Sequence, residues 1–236
     1  MFIFYHPQRG RWFRSPELPD IRHAQENGLL AFGGSYTPSC FLKAYRRGIF
    51  PWPSGEEEDP IPWFCPPERF VLEPENVHLS HSLRKTLKGS RFTVFADRNF
   101  EGVIRSCAEM PRQDAGTWIT AGMIDTFCKL HEMGYAHSVE CYDGDILAGG
   151  FYGMCFGQVF GGESMFTRVS DAGKVAFAVF AHRAQAYGMR LIDCQCYTDN
   201  LARYGAHDIP RDDYLSKLAL YRNLELLPGF WDGQWR

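Results

Sequence analysis

Apolar residues recur with a helical period at three places along the chain. In the first, Phe41, Leu42 and Tyr45 form one stripe, with Thr37 at the N-cap position, Pro38 opening the first turn and Gly48 past the end. In the second, Met123, Phe127 and Leu130 recur at i, i+4 and i+7 between Thr120 as cap and Gly134 as stop. The third is the long run DAGKVAFAVFAHRAQAYG, capped by Ser170 and stopped at Gly188. Shorter helices are predicted over HSLRKTLKG after Ser80, over residues 98–109, over TDNLARYG and over RDDYLSKLALYR. Between them RFTVFAD, AHSVECY, ILAGGFYGMCFG, QVFGGESMF and MRLIDCQ read as strands, with Asp143–Gly144 as a hairpin turn. From residue 121 the predicted order is helix, three antiparallel strands, helix, strand, helix. The fold class is therefore mixed α/β (α+β), and the order is compatible with an N-acyltransferase-like (GNAT-like) sheet whose central strands splay to admit an acyl donor.

The first 65 residues are rich in Pro, Gly and aromatics and leave little room for long elements. PWPSGEEEDPIP, residues 51–62, reads as an exposed acidic loop. A boundary near Pro66–Pro67 divides the chain into a small N-terminal domain, 1–65, and a larger one, 66–236.

Composition narrows the class. The chain is 45% hydrophobic and 22% charged, an ordinary balance for a water-soluble fold. Its net charge of -3 gives no global pull toward nucleic acid, so any RNA contact has to come from a local basic patch. Eight cysteines are scattered with no C-x-x-C, several inside apolar runs, and read as reduced thiols. No signal peptide opens the chain and no stretch approaches a membrane span, which predicts a cytoplasmic protein.

Several motifs are absent or decoys. His131 and Glu132 precede His137 by the wrong spacing for H-E-x-x-H, and the helix-end pair is expected to face solvent. There is no phosphate-binding G-x-x-x-x-G-K-[ST] loop and no G-x-S-x-G elbow, which argues against ATP hydrolysis and serine-hydrolase chemistry. Three features remain. Glu163 ends an apolar, Gly-flanked strand, where a carboxylate is either paired structurally or aimed into a cleft. Asp193 and Gln195 share one face of an apolar strand by period-two alternation and need polar partners. Trp52 and Trp118 stand beside Gly- or Pro-marked bends, positions that suit either core packing or base stacking.

At NGLLAFGG, AYRRGIFPW, GTWIT, AHSVE, GGESMF, LIDCQ and IPR the chain resembles the leucyl/phenylalanyl-tRNA–protein transferase family, in family order from residue 27 to about 215. The resemblance implies transfer of Leu or Phe, with Met a further candidate donor, from aminoacyl-tRNA to acceptor proteins that begin with Arg or Lys, marking them for N-end-rule degradation. Because the donor ester is already activated, no cofactor and no metal are implied. Carried over by matched position, Trp52 and Trp118 would hold the terminal adenosine, and Phe151, Met165 and Phe180 would wall the aminoacyl side chain. Glu163 would hold the aminoacyl end, while Asp193 would orient Gln195 and present negative charge to the acceptor. For the tRNA itself the candidates are Arg46, Arg47, Arg84, Lys85 and Lys88. The chain is expected to act as a monomer without a membrane.

Four residues depart from the family pattern: Ser35, Phe127, Phe151 and Ala184, the last two expected to reshape the side-chain pocket. The rivals are a small-molecule N-acetyltransferase and a non-catalytic RNA-binding protein. The helix opening RVSDAGK has one glycine where an acetyl-CoA pyrophosphate turn needs more, and the charge balance disfavours the second. Loss of transfer with retained tRNA binding in an Asp193→Ala variant is the outcome that would mark the enzyme.

Overall fold

The computed structural model describes residues 1–89, 91–110 and 116–235. Five short strands come from the first 64 residues: β1 (Phe2–His6), β2 (Arg11–Ser15), β3 (Leu29–Gly33), β4 (Phe50–Pro51) and β5 (Pro62–Phe64). They pair antiparallel in the order β2-β1-β3-β5-β4. Strands this short, broken by Pro and Gly, carry too little alternation to register as a sheet in the sequence. Helix α1 (Pro38–Tyr45) crosses beneath them, its first turn held by the Thr37 hydroxyl accepting from Cys40 N.

The second sheet is built from β6 (Glu68–Leu72), β7 (Phe92–Ala96), β8 (Ala136–Asp143), β9 (Ile146–Phe156), β10 (Val159–Thr167), β11 (Leu191–Gln195) and β12 (His207–Pro210). Its order is β12-β6-β11-β10-β9-β8-β7, antiparallel except for the central β10–β11 pair, which is parallel. The helices are α2 (His81–Lys88), α3 (Phe100–Glu109), α4 (Ala121–Glu132), α5 (Ala172–Ala186), α6 (Asp199–Ala202) and α7 (Arg211–Tyr221). The strands β6 and β12 were missed because each is a short piece whose pattern only its neighbours explain.

Helix α5 lies on one face of this sheet and α3 with α4 on the other. Its seat is close: a Cβ on Gly149 of β9 would come 2.7 Å from Gly173 N of the helix, and a Cβ on Gly173 would run into the Thr167 hydroxyl of β10. Ser170 is not its cap. Asp171 takes that place with a left-handed backbone, φ 69°, and its side chain bonds Lys174 rather than the helix amides. On the other side Phe127 of α4 meets Phe41 of α1 edge-on at 5.7 Å, so the two sheets share one apolar core. The missing tyrosine hydroxyl at Phe127 leaves a ring fully enclosed by Phe41, Tyr45 and Tyr152.

The segment after α7 returns across the molecule to β7, where Ala96 N donates to Gly233 O at 3.1 Å and Trp235 N to Val94 O at 2.8 Å. Trp231 of this segment stacks on His137 with ring centroids 4.0 Å apart. Of the helix-end pair, Glu132 faces solvent as expected and His131 is half-buried. His137 is buried, its Nδ1 2.6 Å from Asp97 Oδ2, and His131 stacks on Phe100 with Nδ1 2.8 Å from Ala136 O.

Candidate functional site

The central strands separate where the chemistry sits. Pairing of β10 with β11 runs from Val159 opposite Leu191 to Gly161 opposite Asp193, and each strand then bulges. On β10 the irregularity falls between Gly162 and Ser164, at Glu163; on β11 it falls between Asp193 and Gln195. The gap opens into a cavity of about 410 Å³. Its apolar wall is Phe151, Phe160, Phe177, Ile192 and Leu201 with Met165, and Pro51, Trp52 and Trp118 stand on another side. Glu163, Asp193 and Gln195 form the polar part together with Ser164, Thr198 and Asn200.

A buried ion pair braces that polar part. Asp193, 4% exposed, accepts from Arg69 Nε and Nη2, both at 2.7 Å, and from the Tyr214 hydroxyl at 2.7 Å. Arg69 is 2% exposed, lies over the Phe50 and Tyr214 rings, and donates from Nη1 to Gly48 O at 3.2 Å. Burial works against the guanidinium charge, and Asp193 with Tyr214 more than offsets it, so its pKa rises further. Gly48 has to be glycine here, since φ is 73° and a Cβ would meet Tyr214 and Leu215 at 2.8 Å.

The period-two expectation fails at the bulge. Gln195 adopts φ 62°, which turns its side chain away from the Asp193 carboxylate. Asp193 Oδ1 instead accepts the Gln195 backbone N–H at 2.9 Å, and Gln195 Nε2 donates to Glu163 Oε1 at 2.7 Å. Asp193 thus fixes the backbone of Gln195 while its charge is matched by Arg69. The Tyr45 hydroxyl acts on Glu163 from below without a well-formed hydrogen bond, and Oε2 is left with none.

The Glu163 carboxyl is pushed up to about 8. Burial is the main cause; the Tyr45 hydroxyl opposes it, the Asp193 charge adds to it and Gln195 opposes it. Glu163 therefore holds its proton through neutral pH, and Oε2 is the oxygen left to carry it. Between about 4.5 and about 8 the folded protein keeps a proton that the unfolded chain has lost. Stability accordingly falls as pH rises through that window and levels off above it, with a limiting slope of about 1.4 kcal/mol per pH unit. Urea unfolding from pH 5 to 8 will show a flatter profile for Glu163→Gln than for the wild type; parallel profiles would remove the proton from Glu163.

The family comparisons bear on this geometry. A family model described as "Leucyl/phenylalanyl-tRNA protein transferase" matches residues 71–219, and a model of that family's N-terminal domain matches residues 34–67. The leucyl/phenylalanyl-tRNA–protein transferase of Anaeromyxobacter sp. (strain Fw109-5) is 47% identical over 221 residues, 93% of this chain and 93% of that protein. The one of Myxococcus xanthus (strain DK1622) is 48% identical over 206 residues, 86% of this chain and 87% of that protein. This chain belongs to the leucyl/phenylalanyl-tRNA–protein transferase family. Among solved structures, a GCN5-related N-acetyltransferase from Kribbella flavida aligns with a TM-score of 0.39 and 12% identity, covering 72% of this chain and 59% of that one.

Within this leucyl/phenylalanyl-tRNA–protein transferase chain the expected residues divide. Trp52, Trp118, Phe151, Met165, Glu163, Asp193 and Gln195 all line the cavity. Phe180 does not: it is fully buried one layer behind, 5.2 Å from Phe151 and 4.8 Å from Phe160 between ring centroids. Ala184, further along the same helix, is equally enclosed and reshapes the core rather than the cavity. Ser35 sits in the turn before α1, its hydroxyl 3.2 Å from that of Thr37.

The basic candidates divide too. Arg47 is committed to the fold, donating to Leu18 O at 3.0 Å and Pro19 O at 2.6 Å. Arg46 is exposed, with its guanidinium over Tyr135 and Phe156. Arg84, Lys85 and Lys88 project to solvent from α2.

Sequence reasoning missed Arg69, Tyr214 and Tyr45 beneath the site and Phe160, Phe177 and Ile192 in its wall. Arg69 had a signal. One cation in ERFVL and one anion in LIDCQ, each in an apolar strand, are natural partners for one another.

Proposed function

We propose that this enzyme moves Leu or Phe from aminoacyl-tRNA onto the N-terminal Arg or Lys of acceptor proteins, marking them for N-end-rule degradation. The observation that carries the reading is the coincidence, in one cavity, of two indoles, an apolar wall and the Glu163–Gln195 pair at the splay of β10 and β11. Trp52 and Trp118 take the terminal adenosine between aromatic faces. Phe151 and Met165, backed by Phe180, receive the aminoacyl side chain, and the unbranched Met165 adapts to a branched or a flat one. Glu163 binds the aminoacyl end. Residues 1–65 and 66–236 act as two domains with the cavity between them, and the enzyme works as a monomer in the cytoplasm.

The reaction is aminolysis of an ester. The acceptor amine nitrogen bonds to the carbonyl carbon, the bond to the ribose oxygen breaks, and the amine proton ends on that oxygen. With its Nε2 engaged by Glu163, Gln195 presents its carbonyl oxygen, which accepts from the incoming amine and fixes its line of approach. An unperturbed α-amine has a pKa of about 8, so a usable neutral fraction exists near neutrality.

The test is transfer of labelled Leu or Phe from charged tRNA to a peptide beginning with Arg, without ATP. Acid-stable label on the peptide is expected; turnover of acetyl-CoA with no transfer would overturn the reading. Trp52→Ala, a change at a side chain 49% exposed, is expected to raise the donor KM about tenfold with kcat little altered. An unchanged donor KM would remove Trp52 from the adenosine site.

A further inference from the structure

The outer face of the N-terminal sheet carries a row of side chains that starts at the cavity. Trp52 N donates to Pro62 O at 3.0 Å, Pro62 is the register partner of Phe32, Phe32 of Ile3, and Ile3 of Arg14. Directly opposed residues of antiparallel strands share a face, so these five form one line across the sheet. Four strand spacings of about 4.8 Å make it about 19 Å long, the reach of roughly five stacked nucleotides. Two residues further along, Tyr5 pairs with Trp12 on the same face. Trp12 is 54% exposed, with its ring 5.7 Å from Tyr5 and 6.5 Å from Phe32, and Ile3 is 38% exposed.

Charge selects the occupant. Residues 1–16 hold Arg9, Arg11 and Arg14 and neither Asp nor Glu, inside a chain whose net charge is -3. All three arginines are exposed, and none has an ion pair among the described residues; Arg14 shares the face of Trp12, while Arg9 and Arg11 lie over the Phe13 ring on the other side of β2. The acidic stretch of the 52–61 loop lies at the opposite end of the row, where Glu57 Oε1 accepts from Gly122 N at 3.1 Å and Gly55 abuts the Thr117 carbonyl. An exposed indole with Arg14 on the same face suits a single-stranded polyanion whose bases stack and whose phosphates are neutralised. It suits poorly a chain that begins with Arg or Lys.

We infer that this face binds the unpaired 3′ end of the donor tRNA. It extends from the terminal adenosine at Trp52 across Pro62, Phe32 and Ile3 to a stacking platform at Trp12 and a phosphate contact at Arg14. The inference rests on the reading of Trp52 as the adenosine's partner.

The experiment compares binding of uncharged tRNA with binding of the same tRNA trimmed of its unpaired 3′ end. Trp12→Ala is expected to weaken the whole tRNA about tenfold and leave the trimmed one unchanged, while Trp12→Tyr retains most of the affinity. Arg14→Ala is expected to reduce the salt slope of whole-tRNA binding by about 0.7. Equal affinity of Trp12→Ala and wild type for whole tRNA overturns the inference. So does a Trp12→Ala variant whose only change is a raised KM for the peptide, which would assign the face to the acceptor chain. If Trp52→Ala impairs donor binding and Trp12→Ala does not, the outer face falls and the cavity reading stands. If neither does, both fall.

Discussion

Asp193→Ala loses about 3–5 kcal/mol of folding stability, and transfer disappears with it. Asp193 is the carboxylate that the fully enclosed Arg69 guanidinium meets through two hydrogen bonds, and Tyr214 bonds the same oxygen as Arg69 Nη2. Removing the anion strands a cation under Phe50 and Tyr214, with only the Gly48 carbonyl left as a strong acceptor. Arg69→Ala leaves the reverse defect and is expected to cost about as much. Arg69→Met with Asp193→Leu removes both charges and recovers a good part of the loss, because an apolar pair carries no desolvation penalty. Denaturant unfolding at pH 7 measures all three. An Asp193→Ala protein with the wild-type midpoint would show that the pair does not support the fold. The consequence for function is direct: silence of Asp193→Ala does not by itself isolate a chemical role, since the fold is damaged too.

Gln195→Gly isolates it. Gln195 holds φ 62°, a conformation glycine adopts without strain, so the substitution relieves the backbone while deleting the amide that bonds Glu163. The two effects oppose one another and stability is expected to stay within about 1 kcal/mol of wild type. Transfer is expected to fall about a hundredfold or more in kcat, the scale of losing a positioning contact to a reacting group. Single-turnover rates with charged tRNA and saturating peptide read this out. A fully active Gln195→Gly would take the amide out of the mechanism and turn attention to Glu163 and the other polar groups lining the cavity.

The long helices were legible because their caps and periods are local facts: Thr37, Ser80 and Thr120 each accept from the amide three residues on, as their positions imply. The two strands that flank the cavity were legible as strands. The glycines of QVFGGESMF suggest a bulge or a close backbone approach, and β10 does bulge at Glu163; the extra residue at Cys194 of β11 depends on the partner strand and leaves no mark in the pattern. That is why Asp193 and Gln195, correctly singled out as polar residues on an apolar strand, were assigned to one face and turn out to address different partners. Phe180 failed for a related reason. One turn of α5 separates Phe177, which faces the cavity, from a ring that backs it, and the helix is apolar all round, so periodicity could not say which was which. The N-terminal sheet was invisible because its strands are two to five residues long and, apart from the β1–β2 hairpin, are joined by pairings distant in sequence.

The segment after α7 has a consequence for how the molecule is made. β7 is the last strand of its sheet, and its outer side is closed by Gly233, Gln234 and Trp235. On the ribosome β7, β8 and β9 emerge early and can form their meander. The backbone that seals the open edge is synthesised more than a hundred residues later. Until then the nascent chain displays an unpaired row of amides and carbonyls, the surface on which β-proteins aggregate. Completion of the sheet thus waits until residues 231–235 have been made, when Trp231 reaches His137 and the edge is shut.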